Sequence, residues 1–555
     1  MTDIKVPHIP KTHTLSRKER ESLIRSALAL RSGVGGVPSS FQFSRDGTKL
    51  YFIGCQEKDA KSSLYYVDTT TNDGEWKPVI GAQHLEQKTG GVLTKEEELL
   101  RERKRIVLQG ITSYTYHKGT QQILVPASGS IFRIEMDNNQ VKSVQDLPST
   151  RPETRMDPKF SSDGRFVSFV RKNNLFAIDL HTNQEIQLTY EGSDVVSCGV
   201  AEYIIQEEFD RFTGYWWAPA VVTEQGSTIY RILYFQVDES MVSEYPVCEY
   251  DLKGSVETYR YPLVGGTNAE CEVYVAEITV TNDNIRVTQK GLYPKIKTRI
   301  PSTEYVVRGG WFPDSENLWV QVVDRLQENT HLVAFNMNQF MEFPGNEEAG
   351  HTILFRETTK YWINVTDLIY TFKDGSLLWA SEMSGYRHLY FVDPHTNTVR
   401  TITQGEWQVD TTAFGVDEAN HLVYFMGTKD TPLESHLYVA SYQPGSSLDK
   451  VKRLTEAGFY HSVTLDVQNG LFTSIYSNST TKPAVAVFRI SQNTSLDSIT
   501  TEKLFNIATK SPQVESSFPL VYPEIFSFQN TRGYTLYGAL YKPSDYDPNK
   551  KYPTI

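Results

Sequence analysis

One phrase recurs along this chain: an apolar residue, a turn built on Asp-Gly, an apolar run, a polar loop, then Leu-Tyr or Leu-Phe followed by Val-Asp or Ile-Asp. It first appears as Phe43-Ser44-Arg45-Asp46-Gly47-Thr48-Lys49-Leu50-Tyr51-Phe52, closed by Leu64-Tyr65-Tyr66-Val67-Asp68. A second copy runs from Phe160 through Asp163-Gly164 to Phe169, with Asn174-Leu175-Phe176-Ala177-Ile178-Asp179 behind it. Weaker copies centre on Pro313-Asp314, Asp374-Gly375 and Asp417-Glu418, the last two answered by His388-Leu389-Tyr390 and His436-Leu437-Tyr438. Asp-Gly supplies the positive backbone angles of a tight hairpin turn, and the flanking alternation supplies a strand on each side. Such a unit cannot bury both of its faces alone. Repeated units must pack on one another, and for four-stranded sheets the closed solution is a β-propeller. A β-sandwich with coincidental turns is the alternative. Insertions make the spacing irregular, so the sequence gives no blade count.

At 555 residues the chain exceeds a usual single core, which a repeat architecture permits in one domain. Its 32 Tyr and 27 Phe favour strands. A net charge of -12 argues against nucleic acid, whose phosphates need a basic face, and suits a cationic partner. The mean hydropathy is -0.41. The first ten residues hold no signal-peptide core, and no run of about 18 apolar residues offers a membrane span. A soluble, cytoplasmic protein is expected. Its four cysteines are scattered without a Cys-x-x-Cys pair, which predicts reduced thiols. With no His-Glu-x-x-His, no Cys/His cluster and no nucleotide fingerprint, neither a metal nor a cofactor is expected.

The densest chemical signal is Ile205-Gln206-Glu207-Glu208-Phe209-Asp210-Arg211-Phe212-Thr213-Gly214-Tyr215-Trp216-Trp217. Two adjacent carboxylates beside aromatics suit capture of an ammonium group through short charge-assisted hydrogen bonds, and the ammonium offsets the repulsion between the acids. Adjacent acids on a solvated surface are the plain alternative. The aromatics seek burial, which places Glu207 and Glu208 near a packed region.

This segment resembles the Glu-Glu signature of the dipeptidyl peptidases of the prolyl oligopeptidase family, with wording nearest the cytosolic dipeptidyl peptidase 8/9 subfamily. Residues 96–114 (EEELLRERKRIVLQGITSY) and 423–439 (VYFMGTKDTPLESHLYV) resemble the same subfamily. The resemblance implies an eight-bladed propeller. It also implies that Glu207 and Glu208 bind the amino terminus of a peptide. Arg105, with Arg101 and Arg103 as alternatives, would reach the carbonyl of the peptide's second residue. The family removes N-terminal dipeptides after proline or alanine.

The family's serine nucleophile sits in a Gly-x-Ser-x-Gly elbow on an α/β-hydrolase domain, and no such pentapeptide occurs in residues 1–555. The reading is therefore of three parts: an N-terminal helical segment at 1–35, a propeller at 36–515, and the opening strands of an incomplete hydrolase domain at 516–555. No catalytic residue is assigned, and the chain alone is expected to bind peptides with a free N-terminus without cutting them. A non-catalytic propeller that binds peptide N-termini or proteins, as a homodimer or paired with full-length subunits, is the competing expectation. Two helices are predicted: one after the capping-box pattern Ser16-Arg17-Lys18-Glu19, and one from Thr94-Lys95-Glu96-Glu97 to Arg105, acids first and bases last.

Overall fold

The structure, a computed structural model, describes Lys18, Glu21 and residues 37–554, except 57–60, 72, 90–92, 107–108, 138–139, 249–253, 294, 342–351, 449, 492–495, 509–520 and 544–545. The predicted N-terminal helix lies outside the described residues apart from Lys18 and Glu21, both in helical conformation.

Eight antiparallel sheets, apart from a separate two-stranded ribbon within the fourth, follow one another over residues 39–507. Blade 1 consists of Ser39–Phe43, Lys49–Gly54, Ser63–Asp68 and Lys77–Ile80. Blades 2 and 3 span residues 115–146 and 156–187, blade 4 spans 196–292 with Phe340–Met341 added at its edge, and blades 5 to 8 span 305–358, 369–401, 409–453 and 460–507. The molecule is an eight-bladed β-propeller.

Blade-to-blade packing explains the sequence pattern. Second strands such as Lys49–Gly54, Phe166–Arg171 and Leu422–Gly427 are buried at every position, because each face of a blade meets a neighbour. Apolar alternation therefore fades into continuous apolar runs there. Eight clusters of buried side chains fill the eight junctions between successive blades. The closing one sets Phe43, Leu50, Phe52 and Val67 of blade 1 against Val485, Val487 and Phe505 of blade 8. Since burial is the main source of stability, no blade holds its faces dry without both neighbours.

The repeated Asp-Gly turns join the first and second strands of their blades, with a different geometry from the one expected. Only the glycine is left-handed, with φ of 70° at Gly47, 80° at Gly164 and 85° at Gly375. Gly47 N–H donates to the Ser44 carbonyl at 3.0 Å, and the Asp46 carboxylate accepts from Thr48 N–H at 3.1 Å. The aspartate thus acts as a local acceptor that stands in for a backbone turn. In blade 5 Ser315 occupies the left-handed position at φ 64°. The Leu-Tyr phrase opens the third strand, where His388 bridges the Thr403 hydroxyl and the Gly405 carbonyl at 3.0 Å each. His388 is a structural strut.

Beyond the ring, Glu524–Gln529 and Thr535–Leu540 form a hairpin exposed along both strands. Of the expected opening strands at 516–555, these two are present, paired among the described residues only with each other. No described helix is long and apolar enough to cross a membrane.

Candidate functional site

The inner strand of blade 4 is broken. Val196–Cys198 pairs with residues 236–238 of the long strand Thr228–Asp238, Tyr215–Trp217 pairs with residues 232–234, and residues 199–214 loop out between them. The two ends of the loop are pinched together: Gly214 N–H donates to the Gly199 carbonyl at 3.0 Å. A β-carbon on Gly214 would lie 2.5 Å from the Gly199 carbonyl carbon, which accounts for the glycine in Phe-Thr-Gly-Tyr.

The loop carries a short helix, Tyr203–Glu208, whose underside packs Ala201, Ile205 and Phe209 onto Val307 and Val323 of blade 5. That anchoring turns Gln206 inward, leaves Glu207 half-buried and exposes Glu208. Below it, Arg211 is buried and donates to three backbone carbonyls: Val307 at 2.9 Å, Thr213 at 2.5 Å and Val306 at 3.3 Å. Val307 lies in a break of the ladder between Val306 and Arg308, so its carbonyl is taken by Arg211 and by Arg308 at 3.0 Å. Arg308 also holds the Phe209 carbonyl at 2.7 Å and pairs with Asp367. Burial lowers the Arg211 guanidinium to about 10 and pushes the Cys271 thiol up to about 12.

Residues 81–114, between blades 1 and 2, supply the other half of the site. The helices are α1, Ala82–Thr89, and α2, Lys95–Arg103; Tyr203–Glu208 is then α3. Thr94 caps α2 through the predicted capping box with Glu97. The helix ends two residues before the expected Arg105. Ile106 N–H donates to the Arg101 carbonyl at 2.8 Å and Arg105 N–H to the Glu102 carbonyl at 2.9 Å, the paired closure of a Schellman motif. Arg105 therefore occupies the left-handed position that glycine normally takes, at φ 53°. Arg105→Gly is expected to keep this closure, with a net gain of about 0.5 kcal/mol once glycine's extra chain entropy is subtracted. Arg105→Val should open it, and amide exchange at Ile106 reads both. Equal exchange in the two variants would contradict the assignment.

The end of α2 meets α3. Arg105 Nη2 lies 3.5 Å from Glu207 Oε2, with the arginine side chain 74% exposed and the glutamate side chain 23% exposed. Arg103 donates to Gln206 Oε1 at 2.8 Å and lies 5.6 Å from the Tyr203 ring centre. Arg101 faces elsewhere: with Lys104, Leu85, Leu100 and Phe212 it lines a cavity of about 760 Å³, of which Glu207, Glu208 and Arg105 are not lining residues. The structure thus brings together Arg105 with Glu207 and Arg103 with Gln206 where the end of α2 meets α3. The sequence reading missed Gln206, Glu202 and the buried pair Arg211 and Arg308. The missed acid caps α3: the Glu202 carboxylate accepts from Ile204 N–H. Among the described residues, no group of three or more His, Cys, Asp and Glu side chains could hold a metal ion.

Residues 112–483 match the family model of the dipeptidyl peptidase IV (DPP IV) N-terminal region. Dipeptidyl peptidase 8 of Homo sapiens is 33% identical over 94% of this chain and 65% of its own length, and that of Mus musculus is 34% identical over 94% and 66%. A probable dipeptidyl peptidase 4 of Emericella nidulans is 26% identical over 72% of this chain and 49% of its own. The chain thus spans about two thirds of the length of the first two relatives. In fold it is similar to the crystal structure of Porphyromonas gingivalis dipeptidyl peptidase 4, with a TM-score of 0.68 and 19% identity over 98% of this chain and 69% of that one. With most of its propeller matching the family's N-terminal region, the chain belongs to the dipeptidyl peptidase family.

Proposed function

We propose that this propeller is the substrate-holding part of a dipeptidyl peptidase, in which Glu207 and Glu208 take the free α-ammonium of a peptide and Arg105 takes the carbonyl of its second residue. The supporting observation is the meeting of Arg105 with Glu207, 3.5 Å apart, where the arginine side chain is exposed. An ion pair this exposed contributes at most about 1 kcal/mol. A peptide ammonium can therefore take over the carboxylate and free the guanidinium for a carbonyl. Residues 1–555 contain no Gly-x-Ser-x-Gly elbow, so nucleophile, general base and oxyanion donors would have to come from elsewhere for cleavage after proline or alanine. Cytoplasmic residence belongs to the same proposal; four thiols with no disulfide suit a reducing compartment.

The isolated 555-residue chain is expected to bind a free-amine peptide, to bind its acetylated form more weakly, and to leave a Gly-Pro reporter uncut. Equal affinity for the two peptides by calorimetry would remove the amine pocket, and turnover blocked by a serine-directed inhibitor would remove the claim of inactivity. A second reading, a non-catalytic propeller that pairs with another copy or with a full-length subunit, is favoured by one feature. The ribbon Glu244–Cys248 with Val256–Arg260 stands outside the ring and exposes Tyr245, Val247 and Val256. Sedimentation over a concentration series tests it.

A further inference from the structure

The cavity of about 760 Å³ beside α2 has the size and the lining of a small-molecule site. It is walled by α1, α2, Ile106 with residues 109–115, the blade 2 turn at 126–128, residues 155–158 where blade 3 begins, and Phe212 with Thr213 from the blade 4 loop. Leu85 and Ile111 on its wall belong to the packed junction of blades 1 and 2, so one side of the cavity is ring core. Leu100, Ile106, Met156 and Phe212 extend the apolar lining. The charged groups on the wall are unevenly matched. Each acid is already held: Glu86 pairs with Lys61 at 2.7 Å, Glu97 accepts from Thr94 N–H at 3.0 Å and Gly129 N–H at 2.7 Å, and Asp157 accepts from the Thr213 hydroxyl at 2.6 Å and pairs with Lys159 at 3.2 Å. Arg155 is buried and directs its N–H groups to Asp146 and to the Leu147 and Pro148 carbonyls. Lys104 differs. Among the described residues its ammonium pairs with no acid and lies over the Phe212 ring, 4.8 Å from its centre, where both side chains line the cavity. Arg101 lines it one turn earlier on α2.

We propose that this cavity binds a small apolar monocarboxylate, with its hydrocarbon body against Leu85, Leu100, Ile106 and Phe212 and its carboxylate on Lys104 and Arg101. Glu207, Glu208 and Arg105 are not among the lining residues, so the site stands apart from the amine-holding reading above. Charge selects the ligand. A cation would find the carboxylates of the wall already engaged, and a neutral molecule would leave the Lys104 ammonium with an aromatic face alone, a contact weaker than a charge-assisted hydrogen bond. A carboxylate supplies that bond, and because an ammonium has three donors it can be bound without giving up the ring. The backbone at this end of α2 does not compete for those donors. The carbonyls of Leu100, Arg101 and Glu102 already accept from the N–H groups of Lys104, Ile106 and Arg105. Since α2 forms one wall and ring core another, a bound acid ties the helix to the ring, and the closure at Lys104 and Ile106 feels it first.

The test titrates the full chain with decanoate and with decanol by calorimetry, both as monomers in solution and with no peptide present, and follows amide exchange at Lys104 and Ile106. Decanoate should bind one to one, roughly tenfold more tightly than decanol, the scale of one charged hydrogen bond, and should slow exchange at both amides. Leu100→Trp, which fills the cavity, should remove binding of acid and alcohol alike. Lys104→Met changes an exposed side chain and so leaves the fold intact; it should bring decanoate down to the affinity of decanol while decanol binds as before. Lys104→Arg should keep most of the preference for the acid. The proposal is overturned by a wild-type chain that binds no decanoate, by equal affinities for acid and alcohol, or by a decanoate affinity that Lys104→Met does not move. Decanoate bound as tightly by a folded Leu100→Trp chain would place the ligand elsewhere and overturn it too. Should that variant fail to fold, the lysine series and the exchange at Lys104 and Ile106 still decide.

Discussion

Arg211→Met is expected to destabilise the propeller by about 3 kcal/mol, even though it removes a buried charge. Two terms oppose each other. Burial of the guanidinium is costly, as its lowering to about 10 shows, and methionine avoids that cost while filling much of the same space. Against this stand three hydrogen bonds from a cationic donor, to Val306, Val307 and Thr213. Each is worth roughly 1.5–3 kcal/mol, and the acceptors left behind stay buried. Bonding wins. The Val307 carbonyl lies in the ladder break without a regular strand partner, and once Arg211 is gone the bond from Arg308 at 3.0 Å remains to it. The damage should spread to α3, which packs on Val307 and Val323. Denaturant unfolding measures the stability, and amide exchange over residues 203–208 reports the helix. Arg211→Lys, with one of the three bonds restored, should fall between. A methionine variant as stable as wild type would show that the carbonyls find other donors.

This arginine marks the limit of what the sequence reveals. The ring was legible where a blade announces itself locally, as Asp46-Gly47, Asp163-Gly164 and Asp374-Gly375 do. Blades 2, 4 and 8 make the corresponding turn with Gln121, Gly226 and Gly470 in the left-handed position and no Asp-Gly pair. Their turns carry no shared word, so they escape a search for repeats. Helix α2 was legible through its capping box, whereas α1 follows Gly81 with no acid in its first turn and lacks any start signal. Glu207 and Glu208 stood out because they interrupt an aromatic run. Glu202, five residues earlier, became a cap only through the backbone geometry of a loop pinched at Gly199 and Gly214. Arg211 and Arg308 were invisible for a related reason: the acceptor they share, the Val307 carbonyl, is freed by a ladder break in blade 5, a long-range product of sheet register that no local pattern encodes.

The double substitution Glu207→Gln with Glu208→Gln is expected to weaken binding of a free-amine peptide by at least ~1.5 kcal/mol, the scale of one charged hydrogen bond. Glutamine keeps the length and one acceptor oxygen of each side chain, so the loss isolates charge from shape. The single variants should not simply add. Glu207 is the member 3.5 Å from Arg105, so Glu207→Gln removes an acid and also releases the guanidinium from its resting partner, whereas Glu208, exposed on the last turn of α3, loses only its own attraction. Residues that share a partner couple in this way. The acetylated peptide completes the cycle: it has no ammonium, so its weaker binding should hardly change when both acids are replaced. The coupling between the peptide's amine and the acid pair, calculated from these four affinities, then measures the clamp free of any general loosening of α3. A coupling near zero would mean that the two carboxylates do not recognise the charge.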